Sequence, residues 1–103
     1  MSEYKSMTPR EFAELDFSQY TLLDLREPSE LIADGIEGAL NMPVSQGLGA
    51  LATVPAGKPV IVFCRVGVIS EEVAELLADF GHDVYNLEGG YCAYRAVKHE
   101  RND

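Results

Sequence analysis

The chain has 103 residues, 47% hydrophobic and 24% charged, and a formal net charge of −9. That length suits one hydrophobic core, and the apolar content is too high for disorder, so a single domain over residues 1–103 is expected to hold the whole function. The acidic balance repels phosphate backbones and anionic lipid surfaces, which excludes nucleic acid and membranes as partners.

The opening residues, Met1 to Ser6, carry no basic and apolar leader pattern, and no apolar run approaches the ~20 residues that cross a bilayer. A cytoplasmic protein is therefore expected. Two cysteines, Cys64 and Cys92, are too few for a disulfide scaffold and lie in no metal-binding spacing, so at least one is free to react.

In chain order, Thr8-Pro-Arg-Glu11 predicts a capping box with proline at the first helical position, opening a short helix to about Leu15. Residues 20–25, Tyr-Thr-Leu-Leu-Asp-Leu, have the length and content of a strand, and residues 28–33 suit about one and a half helical turns. Residues 39–42 form a weaker strand stopped by Pro43. The Ala- and Leu-rich stretch 46–54 is a poorly specified helix interrupted by glycines, and 55–59 is a turn.

Residues 60–63, Val-Ile-Val-Phe, form an unbroken β-branched and aromatic run, the pattern of a strand covered on both faces. From Ser70 to Phe80 the apolar residues Val73, Leu76, Leu77 and Phe80 repeat with helical spacing, and Gly81 suits the cap. Residues 83–87 predict a strand, 88–90 a tight loop and 91–99 a last helix. Alternating strands and helices imply right-handed crossovers and an open, mainly parallel sheet with helices on both faces. Ligands of such folds bind beyond the carboxyl ends of the strands.

Cys64 stands at that position, followed by Arg65, Val66, Gly67, Val68 and Ile69, and then by the helix opening at Ser70. A thiolate there faces loop amides and the positive end of a helix dipole, which favour an anion and lower the thiol pKa. Gly67 permits the positive φ that lets the loop curl, and Arg65 supplies a cation for an anionic substrate. A lone cysteine after an apolar run is as readily a small buried hydrophobe; the loop and helix behind Cys64 favour the reactive reading.

His82 and His99 read as surface residues. A tyrosine-phosphatase cradle needs arginine six positions after the cysteine, where this chain has Ser70. Asp24, Arg26 and Glu30 read either as substrate groups or, more simply, as an ion-pair network bracing the loop after their strand. Cys92 reads as a buried structural cysteine, with a resolving thiol as the alternative.

Four segments together resemble the rhodanese family over nearly the whole chain: Asp24 to Pro28, Gly35 to Pro43, Cys64 to Ser70, and Leu87 to Gly90 followed by Tyr94. The resemblance implies a five-stranded, mainly parallel sheet with helices on both faces. It also implies a sulfurtransferase that accepts sulfane sulfur on Cys64 as a persulfide, bound by the loop residues Arg65, Val66, Gly67, Val68, Ile69 and Ser70. The implied partners are a small sulfur donor, thiosulfate or another persulfide, and a thiol acceptor that includes a protein sulfur carrier, with cyanide replacing it in an assay. No metal or organic cofactor is implied. Gly35 and Glu37 depart from the family's usual histidine and proline, and Val68 and Ile69 stand where polar or basic residues are common. Arg65 is then the loop's one cation, a weak holder for dianionic thiosulfate, and the apolar loop keeps a second reading open: a binding or regulatory module with slight catalysis. Arsenate reduction by Cys64 with Cys92 is a third.

Overall fold

The computed structural model describes residues 3–101. Five strands form one sheet: β1 (Lys5–Met7), β2 (Thr21–Asp24), β3 (Leu40–Asn41), β4 (Val60–Phe63) and β5 (Val84–Leu87). Their order is β1-β5-β4-β2-β3 and every pairing is parallel. β4, the strand that carries the apolar run, is central and its four residues are all buried. Its carboxyl end lies where the chain departs to opposite sides of the sheet, the crevice in which open α/β sheets take ligands.

Among the described residues four α-helices complete the fold: α1 (Pro9–Ala13), α2 (Pro28–Ala33), α3 (Ile69–Asp79) and α4 (Gly90–Arg101). Strand alternation divides the core. Val60, Val62 and Cys64 pack with Leu23, Leu25, Val84 and the α3 residues Val73, Ala74 and Leu77 on one face. Ile61 and Phe63 pack with Leu22, Leu87, Phe12 of α1 and the α4 tyrosines Tyr91 and Tyr94 on the other. The second face is aromatic: Phe12 meets Phe17 at 4.8 Å and the edge of Tyr94 at 4.9 Å between ring centres.

The Thr8 capping box forms as the sequence predicts. Thr8 Oγ1 accepts from the Glu11 amide at 3.1 Å, and Glu11 returns the contact to the Thr8 amide at 2.9 Å. Three expectations change. β1 has no counterpart in the periodicity, because it is three residues long and buries only Met7. The stretch 46–54 is no α-helix but two 3-10 turns, Val44–Gln46 and Gly49–Thr53, separated at Gly47, whose φ of 88° ends the first. α3 opens one residue earlier than predicted, at Ile69, so Ser70 lies inside its first turn.

Phe12 is fully buried and touches aromatic rings from three other segments. Phe12→Ala is expected to cost about 3–5 kcal/mol of unfolding free energy. Urea denaturation checks this, and a loss below about 1 kcal/mol would mean that this aromatic face does not hold α1 and α4 to the sheet.

Candidate active site

β4 ends at Phe63 and delivers Cys64 to the carboxyl edge of the sheet, 6% exposed. Residues 64–68 then turn into the first turn of α3. Gly67 takes a φ of 89°, and its amide donates to Cys64 Sγ at 3.1 Å. A side chain on Gly67 would also strike backbone atoms of Leu87, Gly89 and Gly90 at 3.0 to 3.2 Å, so both conformation and space require glycine.

The loop is shaped from behind by the start of α4. The Tyr91 amide donates to the Cys64 carbonyl at 2.9 Å, and the Cys92 amide donates to the Arg65 carbonyl at 3.0 Å. Because N–H and C=O point to opposite sides of a trans peptide, carbonyls drawn back to α4 send the amides of Arg65 and Val66 the other way. Gly90 makes this approach possible: a Cβ there would lie 2.6 Å from the Cys64 and Arg65 carbonyl oxygens.

A buried polar chain holds the far side. The Cys64 thiol donates to Ser70 Oγ at 3.4 Å, Ser70 Oγ donates to Asn86 Oδ1 at 2.5 Å, and Asn86 Nδ2 donates to the Gly67 carbonyl at 3.4 Å. Ser70 and Asn86 are 0% and 3% exposed. Sequence reasoning overlooked Asn86. The signal was present: an amide in a strand covered on both faces needs buried partners.

Burial pushes the Cys64 thiol up. The hydrogen bond with the Ser70 hydroxyl and those from the amides of Ser70, Gly67 and Val66 outweigh it and leave the pKa below that of an ordinary thiol. The N-terminus of the 11-residue α3 adds a field of the same sign.

Cys64 opens into a cavity of about 290 Å³ lined by Leu25, Arg26, Glu27, Glu30, Val44, Arg65 and Ile69. Asp24 and Arg26 form a buried ion pair at 2.8 Å, with the Arg26 guanidinium 3.8 Å above the Tyr91 ring centre. Asn41 Nδ2 donates to the carbonyls of Asp24 and Arg26 at 2.9 Å each, so this pair braces the loop after β2. Glu30 feels the Arg26 charge but makes its hydrogen bonds elsewhere. Its Oε2 accepts from Arg65 Nε at 2.9 Å, and its Oε1 accepts from the Glu27 amide at 3.1 Å. The expected network of Asp24, Arg26 and Glu30 is thus joined by charge, since Arg26 and Glu30 still attract one another, while the hydrogen bonds of Glu30 go to Arg65 and the Glu27 amide. The Arg65 hydrogen bond holds the Glu30 carboxyl below the usual range despite partial burial.

Val66, Val68 and Ile69 are 54%, 66% and 50% exposed and form an apolar rim, whereas Gly67 and Ser70 are buried. Cys92 is exposed, not buried as expected. In α4 the sheet-facing stripe is Tyr91, Tyr94 and Val97, and Cys92, about 100° round the helix from Tyr91, falls outside it.

Residues 8–97 match the family model described as rhodanese-like domain. The chain belongs to the rhodanese-like domain family. It is 30% identical over 98 residues to the thiosulfate sulfurtransferase GlpE of Ectopseudomonas mendocina, covering 94% of this chain and 90% of that one. It is 35% identical over 88 residues to the protein YqhL of Bacillus subtilis, covering 84% and 69%. A rhodanese-related protein from Thermoplasma volcanium superimposes with a TM-score of 0.83 at 30% identity, over 91% of this chain and 93% of that one. The rhodanese fold, a five-stranded parallel sheet with four helices, is thereby established for this chain. Among the described residues no helix is long and apolar enough to cross a membrane.

The lowered Cys64 pKa means that the thiolate is populated at lower pH than in a free thiol. The pH profile of iodoacetamide alkylation at Cys64, read in a Cys92→Ala background, is expected to have its midpoint below the ordinary thiol value of 9.0. Ser70→Ala removes one stabilising hydrogen bond and is expected to move the midpoint to higher pH. A profile centred at or above the ordinary value in the Ser70-containing protein would mean that burial wins over the hydrogen bonds.

Proposed function

We propose that this rhodanese-like chain is a sulfurtransferase that moves sulfane sulfur through a persulfide on Cys64. The observation that carries the reading is the Cys64 sulfur held by the Gly67 amide and Ser70 at the mouth of a cavity, with a lowered pKa. Names of relatives add support: thiosulfate sulfurtransferase in Ectopseudomonas mendocina and sulfurtransferase in Allochromatium vinosum, each at 30% identity.

In the first step the Cys64 thiolate attacks the outer sulfur of thiosulfate or of a donor persulfide. A Cys64 S–S bond forms, the donor S–S bond breaks, and sulfite or the donor thiolate leaves with the electron pair. In the second step an acceptor thiolate attacks the outer sulfur of the Cys64 persulfide, and Cys64 is returned as thiolate. Cyanide takes the acceptor's place in an assay and leaves as thiocyanate. The terminal persulfide sulfur is an anion, so the amides that favour a thiolate also favour the intermediate. Ser70, standing where a phosphatase places its arginine, is buried and bonded to Asn86, which weighs against phosphoryl transfer.

A second reading, a partner-docking module with slight catalysis, is favoured by the exposed Val66, Val68 and Ile69. Intact mass under non-reducing conditions separates the two. After thiosulfate or glutathione persulfide, the chain is expected to gain the mass of sulfur, to lose it to cyanide or a thiol, and to gain nothing as Cys64→Ser. Failure of both donors to load Cys64 would overturn the transferase reading in favour of the docking module.

A further inference from the structure

Both arginines on the wall of the Cys64 cavity are already paired. Arg26 is spent on buried Asp24 at 2.8 Å. Arg65, whose side chain is 65% exposed, is tied to Glu30, whose side chain is 24% exposed. Glu27, also on the cavity wall, is held by a neutral hydroxyl: its two carboxylate oxygens accept from Ser45 Oγ at 2.7 and 2.8 Å. A dianion entering this mouth therefore meets one uncompensated carboxylate and no uncommitted cation among the described lining residues, in a protein of net charge −9.

The Glu30 grip on Arg65 is built rather than incidental. Glu30 is fixed by its second oxygen to the Glu27 amide, the first residue of the turn that opens α2. Arg65 is fixed at its other end by its carbonyl, which accepts from the Cys92 amide. The Glu30 carboxylate is thus held in place by a backbone bond before Arg65 arrives, so less of its side-chain freedom is lost in pairing than for an ordinary surface carboxylate.

We propose that Glu30 sets the donor specificity of Cys64: by sequestering Arg65 it disfavours dianionic thiosulfate and leaves the cavity to persulfides, in which the sulfur left behind, not the one transferred, is attached to a carbon chain. This rests on the sulfurtransferase reading above. The apolar rim of Val66, Val68 and Ile69 suits the carbon side of such a donor and offers nothing to a sulfonate. Glu30 acts through Arg65 and the field of the mouth, and it takes no part in the sulfur exchange.

The test is donor kinetics with thiosulfate and with cysteine persulfide, on the wild type, Glu30→Gln, Arg65→Gln and the double variant. Gln keeps an oxygen for the Glu27 amide, and thermal melts verify that each variant folds. Glu30→Gln is expected to raise the thiosulfate to cysteine persulfide ratio of kcat/KM by roughly fivefold, the size of one partly exposed charge interaction, with the change in thiosulfate KM and not in kcat. Arg65→Gln is expected to lower that ratio, and the double variant to return it to near the wild-type value. A folded Glu30→Gln whose ratio is unchanged or lower, or a gain that persists in full without Arg65, would overturn the assignment. Loading of Cys64 by cysteine persulfide, followed by mass in the same samples, separates that outcome from failure of the transferase reading itself: loading without a change in ratio removes only the role of Glu30.

Discussion

Two backbone hydrogen bonds carry the site: the amides of Tyr91 and Cys92, at the start of α4, to the carbonyls of Cys64 and Arg65. They fix the orientation of two peptide planes, and planar peptides leave the opposite amides no choice of direction. The Gly67 carbonyl is held in the same manner by Asn86. The cradle is thus assembled from behind, by β5 and α4, and the cost of orienting its dipoles is met during folding and not when an anion arrives. The close packing explains the run Gly89-Gly90, where any Cβ would collide with Ala93 or with the loop itself.

The thiol sits in a contest between two effects of opposite sign. Burial disfavours its charged form, and hydrogen bonds from Ser70 and the loop amides favour it more. Only an anion gains from this arrangement, and the anion can be a thiolate or the terminal sulfur of a persulfide. Around this centre the fold commits its remaining charges to structure: Arg26 to Asp24, and Arg65 to Glu30. Selectivity at the mouth then follows from which charges are withheld and from the apolar side chains that project beside them.

Much of this was legible in the sequence because the strongest patterns are also the most buried elements. β4 reads from its unbroken apolar run and α3 from Val73, Leu76 and Leu77, and together they place Cys64 at the strand-to-helix junction. What was not legible depends on tertiary contacts. β1 is stabilised by pairing to β5 and has one buried side chain to show for it. The 3-10 turns of 44–53 follow from Gly47 and from covering the β-sheet with Leu51, and neither is a periodicity. The exposure of Cys92 needed the phase of α4, which Tyr91, Tyr94 and Val97 define. Glu30 looked like a neighbour of Asp24 and Arg26 along the chain, and only the fold brings it to Arg65, 35 positions away.

In the proposed transfer, one cradle of amides serves the sulfur both before and after it moves. A crystal structure of the sulfur-loaded protein tests it most directly. One extra sulfur is expected on Cys64, turned into the loop and within hydrogen-bonding distance of its backbone amides, with the Tyr91 and Cys92 contacts unchanged. A terminal sulfur turned out to solvent, or sulfur found on Cys92 with Cys64 unmodified, would contradict it.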